Sequence, residues 1–159
     1  MRRFSFILIT FFVLILSCKD EGTLYSSHIE TKGAWLKNEP VKASLEINEG
    51  PIDIYLILKL NEDYPFSNIY LLSNISNPDL KITDTISFKF DYSKNENLLS
   101  RQMRIKTFRI PIYKNINLNE RTSIEISHAV RFIDSTEPVK KLEGILDVGI
   151  LVNKSNEEI

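Results

Sequence analysis

The sequence predicts an all-β protein: an antiparallel sandwich of jelly-roll type with about seven to eight strands, preceded by a signal peptide and a short tether. Three observations point there. Seven segments alternate apolar and polar residues with a period of two, the pattern of strands with one buried face. Turn residues, Gly, Pro and Asn among them, separate these segments. No segment carries a convincing amphipathic helical period; "NLLSRQMRI" (97–105) offers at most one short helical turn inside a long connection.

The chain starts with Arg2 and Arg3, followed by thirteen mostly apolar residues, Phe4 to Leu16, broken only by Ser5 and Thr10. A membrane-spanning helix needs about twenty such residues. The shorter run reads as a secretory signal peptide, residues 1–17, removed from the mature protein. Its end lacks the usual A-x-A site. Instead Ile15, Leu16 and Ser17 lead into Cys18, the chain's single cysteine. An aliphatic residue at −3, a small one at −1 and Cys at +1 resemble a bacterial lipobox. The resemblance implies cleavage between Ser17 and Cys18, a diacylglycerol on the Cys18 thiol and an acyl chain such as palmitate on its new amine. One chain anchors only marginally, at about 0.8 kcal/mol per buried CH₂, whereas two or more hold firmly. A plain signal peptide with an incidental cysteine, or an uncleaved short anchor, is the alternative. Lys19 speaks against Asp-based retention in the inner membrane. Lys19, Asp20 and Glu21 also resemble the Lys-acidic-acidic export tag of Bacteroidetes surface lipoproteins, or are simply a solvated tether. Periplasmic and surface-facing placements both remain open.

Removing residues 1–17 from 159 leaves 142, an ordinary single-domain length. A chain of that size buries about 68 % of its unfolded surface and needs no disulfide or metal staple. Cleavage removes two arginines, leaving 18 basic against 21 acidic residues, a balance of −3 that gives no reason to expect nucleic acid. With Cys18 lipidated no thiol remains for a disulfide, a nucleophile or a zinc site. The five glycines are scattered, so no phosphate-cradling loop or dinucleotide fingerprint is present. No cofactor is expected beyond the covalent lipid, and a small-molecule substrate is not indicated.

Residues 18–34 are polar without a clear period and read as lipidated N-terminus and tether. The sandwich is then expected over 35–153, with a polar tail at 154–159. "VKASLEI" places Val41, Ala43, Leu45 and Ile47 on one face. "IDIYLILKL" does the same with Ile52, Ile54, Leu56, Leu58 and Leu60, after a turn at "EGP" (49–51) whose proline is barred from a central ladder. "SNIYLLSNI" aligns Ile69, Leu71 and Ile75. "LKITDTISFKF" aligns Leu80, Ile82, Ile86, Phe88 and Phe90, and the polar Asp84 in that row reads as a bulge or a bend between sheets. "IKTFRIPI" aligns Phe108, Ile110 and Ile112; "SIEISHAV" aligns Ile124, Ile126 and Val130 with His128; "ILDVGILV" aligns Leu146, Val148, Ile150 and Val152.

Candidate chemistry is sparse. His128 lies on an apolar face without a second histidine nearby, which reads as a satisfied core or rim residue rather than a ligand. Adjacent acids, Glu62–Asp63 and Glu157–Glu158, read as solvated loop and tail residues, and no G-x-S-x-G elbow is present. An enzyme is not expected. Arg131 and Asp147 are read as a structural ion pair. Trp35, Tyr64 and Phe66 are the candidate contacts for a partner or a glycan, because aromatics bury a large apolar area at little entropic cost. The competing reading has Trp35 and Phe66 plugging the ends of the sandwich.

The lipobox, "GAWLKNEPV" (33–41), "NEDYPFSNIYLL" (61–72), Asp84–Thr85, "HAVR" (128–131) and "LEGILDVGILV" (142–152) occur in order. Together they resemble the GldH family of gliding-motility lipoproteins from Bacteroidetes, over nearly the whole mature domain. The resemblance implies an outer-membrane lipoprotein needed for gliding. It would be a non-catalytic component or stabiliser acting with other motility lipoproteins in an apparatus tied to type IX secretion. It adds no site residue beyond Cys18. The alternative is a surface-exposed glycan-binding sandwich, for which Tyr55, Tyr64 and Tyr70 would have to form one aromatic platform.

Overall fold

The computed structural model describes residues 22–47, 50–91, 104–118, 120–132 and 136–155. Residues 1–17, expected to be a signal peptide, Cys18, the Lys19–Glu21 segment, most of 97–105 and Glu157–Glu158 lie outside the described residues. Ten strands are present: β1 (Thr23–Glu30), β2 (Ala34–Leu36), β3 (Val41–Ile47), β4 (Ile52–Leu60), β5 (Asn68–Ser76), β6 (Lys81–Lys89), β7 (Lys106–Ile116), β8 (Glu120–His128), β9 (Lys141–Glu143) and β10 (Ile145–Lys154). They form two four-stranded sheets, β1-β10-β4-β7 and β3-β8-β5-β6, and a two-stranded ribbon, β2-β9. All pairings are antiparallel. Without the ribbon, successive strands cross from one sheet to the other at every step except the β5–β6 hairpin, the order of a jelly roll.

The period-two residues are the core. Ile52, Ile54, Leu56, Leu58 and Leu60 of β4 are buried in one row, facing Ile69, Leu71 and Ile75 of β5 and Ile124 and Ile126 of β8 in the opposite sheet. Each such side chain contributes about 1.5–3 kcal/mol on burial, so the sheet-to-sheet interface is the main source of stability.

Four expectations need correction. Residues 23–34 are not tether: β1 occupies most of them as the edge strand beside β10, and β2 begins at Ala34. The domain also runs on past 153, since Lys154 belongs to β10 and the Ser155 N–H reaches the Pro51 carbonyl. Asp84 marks no bulge or sheet switch. β6 pairs with β5 in unbroken register, and an edge strand lets the carboxylate reach water from an otherwise inward position. Finally, a register shift between Ile145 and Asp147 turns Ile145 fully inward and leaves Leu146 only half-buried, a one-residue slip that alternation alone does not foresee.

Strand directions divide the molecule into two ends. One end holds the start of β1, the start of β4, the β5–β6 turn and the close of β10. At the other end β4 runs into the Asn61–Ser67 turn, β8 ends at His128, the β2-β9 ribbon sits, and β10 begins.

Candidate functional site: the motif-bearing end

Segments far apart in sequence meet at this second end, and Gly144 is the point where three of them lock. It adopts φ +78°, and a Cβ there would lie 2.1 Å from the Tyr64 nitrogen and 2.6 Å from the Asp63 carbonyl carbon. Its N–H donates to the Gly33 carbonyl at 2.9 Å, and its carbonyl accepts from the Asn61 N–H at 2.9 Å. Only glycine permits that backbone and that approach. The "LEGIL", "NEDYPF" and "GAW" segments are therefore one structural unit.

The Asn61–Ser67 turn is held by its own polar atoms. Asn61 Oδ1 accepts from the Asp63 N–H at 3.0 Å, its Nδ2 donates to Asp63 Oδ2 at 2.8 Å, and Glu62 pairs with Arg104 at 2.7 Å. Tyr64 folds inward, 7 % exposed, and its hydroxyl donates to the Asn68 carbonyl at 2.8 Å. Its ring meets Phe66 and Phe90 edge-on, with centroids 5.7 and 5.5 Å away. Phe90 in turn packs on Phe108 at 4.6 Å. Phe66, half-buried, contacts Phe132 at 5.8 Å, and Phe132 is 59 % exposed, the most exposed large apolar side chain among the described residues. A continuous aromatic chain thus runs from the core at Phe108 to the surface at Phe132. Phe132 was not singled out in the sequence, where "RF" after the β8 alternation carries no signal.

Trp35 is a plug, not a contact. It is 2 % exposed, pairs with Leu142 across the ribbon, and its Nε1–H donates to the Glu39 carbonyl at 2.8 Å. Its ring stands edge-on to His128, centroids 5.4 Å apart. Burial likewise removes Tyr64 from the candidate contacts; Phe66 alone of the three reaches the surface, and only in part. Tyr55 and Tyr70 lie on the outer faces of opposite sheets. Tyr55 is half-buried under Arg109, whose guanidinium lies 3.8 Å above the ring, and Tyr70 is 42 % exposed. The three tyrosines therefore form no platform.

His128 is wholly buried, and neither ring nitrogen has a well-formed hydrogen bond, so it is not the satisfied core histidine expected. Burial first, then the Lys37 charge, hold its pKa down to about 4, while the nearby Trp35 main chain offsets part of this. It is neutral near pH 7. Lys37 Nζ approaches the His128 carbonyl at 3.5 Å, and the Lys37 N–H binds the Lys140 carbonyl at 2.9 Å. Arg131 and Asp147 make no ion pair. Arg131 is in an isolated bridge with Pro138, and Asp147 sits between Glu30 and Lys59 in the other sheet. No group of three or more His, Cys, Asp or Glu among the described residues could hold a metal ion.

This end is a hydrogen-bonded and aromatic clasp, built from the very segments that are most distinctive in the sequence. A family model described as GldH lipoprotein matches residues 23–152, from the first residue of β1 to two residues before the end of β10. The chain belongs to the GldH lipoprotein family. A gliding motility lipoprotein GldH homolog from Christiangramia forsetii is 27 % identical over 158 residues, covering 96 % of this chain and 97 % of that protein. The gliding motility lipoprotein GldH of Flavobacterium johnsoniae is 24 % identical over 155 residues, with 96 % and 97 % covered. No solved structure matches the chain. The GldH match spans the whole sandwich, so the clasp, the ribbon and β1 all belong to the family domain.

Proposed function

We propose that this protein is an outer-membrane lipoprotein, acylated at Cys18 after cleavage behind Ser17, that serves gliding motility as a non-catalytic component of an apparatus tied to type IX secretion. The observation that carries this reading is the match of a GldH lipoprotein model to the entire sandwich, together with a motif-bearing end made of packing and main-chain bonds. Its partner contact is the Phe66–Phe132 pair at that end, where an exposed phenylalanine backed by a rigid aromatic stack offers apolar area at little entropic cost. Its partners are other lipoproteins of the motility machinery. The glycan-binding alternative has no aromatic platform to stand on.

The experiment is complementation of a strain lacking this protein. Wild type restores spreading and the Cys18→Ala variant does not, while metabolic labelling with palmitate marks wild type only. Labelled protein that fails to restore movement would end the motility reading. Protease treatment of intact cells then separates a surface-facing protein, which is digested, from a periplasm-facing one, which is spared.

A further inference from the structure

Where the chain enters the sandwich is fixed. The Gly22 carbonyl accepts from the Lys154 N–H at 2.8 Å, so the domain begins beside its own last strand, at the end opposite the motif-bearing one. Four peptide steps separate Cys18 from Gly22, which reach at most about 15 Å when fully extended. β4 alone, nine residues long, runs about 30 Å between the two ends. With Cys18 acylated, the tether keeps the entry end, rather than the far end, within about 15 Å of the lipid.

The entry end is built to meet that surface. Two of the five exposed large apolar side chains among the described residues are there: Leu24, 42 % exposed beside the register shift that opens β1, and Leu80, 40 % exposed in the β5–β6 turn. That turn is rigid, because Asn77 Oδ1 accepts from the Asp79 and Leu80 N–H groups and the Asn77 N–H returns to the Leu80 carbonyl. Lys81, Lys114, Lys154 and Arg121 are exposed around the same end, against Asp79, Glu46 and the half-buried Asp53.

We infer that the entry end is a lipid-contacting face: Leu24 and Leu80 enter the headgroup layer with the surrounding lysines over anionic lipid, and the sandwich stands upright with Phe132 at its far end. This rests on the acylation of Cys18 proposed above. Shallow insertion of apolar side chains with cationic neighbours is how monotopic proteins seat on bilayers.

The test uses the acylated protein beginning at Cys18, reconstituted into phosphatidylethanolamine–phosphatidylglycerol vesicles whose acyl chains are brominated near the headgroup. Tryptophan is placed at three exposed positions, Leu80→Trp, Tyr70→Trp and Phe132→Trp, and the native, buried Trp35 emission serves as baseline. The inference expects loss of most of the added emission for Leu80→Trp and none for the other two. Vesicle flotation is recorded in parallel. Protein that floats but quenches equally at all three positions, or most at Tyr70→Trp or Phe132→Trp, overturns the upright seating and leaves the anchor intact. Protein that does not float overturns the anchor and this inference together.

Discussion

Gly144 and His128 hold the two sharpest residue-scale consequences. A methyl group on Gly144 would collide with backbone rather than with a movable side chain, in a conformation that L residues rarely adopt. Gly144→Ala is therefore expected to destabilise by about 3 kcal/mol or more, enough to unfold a marginal domain. Gly50, at φ +65° with no atom within 4 Å, should cost only about 1 kcal/mol on the same change. Urea unfolding of both variants checks the contrast. For His128 the folded pKa, about 4, lies below the ordinary value of 6.5, so the unfolded chain binds the extra proton. Stability from this residue is complete above pH 6.5 and is lost as pH falls through 4, by about 3 kcal/mol in total. His128→Leu should flatten that part of the pH–stability curve and leave stability at pH 7 unchanged or higher, because it removes two buried nitrogens without well-formed bonds.

Among the elements, β1 depends on Gly149, where a Cβ would stand 2.5 Å from the Ser27 carbonyl oxygen. Gly149→Ala should push β1 off β10. Amides of β1 would lose hydrogen-exchange protection while those of β5, central in the other sheet, keep theirs. The same strand marks the limit of what the sequence disclosed. The strands now numbered β3 to β8 and β10 were legible because alternating Ile, Leu and Phe rows survive wherever a strand buries one face. β1 was not, because an edge strand bearing Tyr25 and Ser27 inward and exposing Leu24 and Ile29 shows no apolar row. The three-residue β2 and β9 are too short for any period to register. Trp35, Tyr64 and Phe66 were legible as unusual residues, but their direction was not. Whether an aromatic plugs an end or faces water depends on the Gly144 clasp, a contact between positions eighty residues apart.

At the scale of the whole molecule, the two ends differ. The described sandwich begins at one, with Gly22 beside Lys154, and the other gathers the "GAW", "NEDYPF" and "LEGIL" segments into a rigid clasp with Phe132 left outside. Phe132 stabilises little where it is, so replacing it should change folding stability by only about 0.5 kcal/mol. Its loss should instead weaken contact with a partner. The decisive measurement is therefore the spreading of cells complemented with Phe132→Ser, alongside immunoblots and thermal melting of the variant. The account predicts normal protein level and melting with spreading abolished or sharply reduced. Normal spreading at normal protein level would contradict it, and would move the working surface of this protein away from its motif-bearing end.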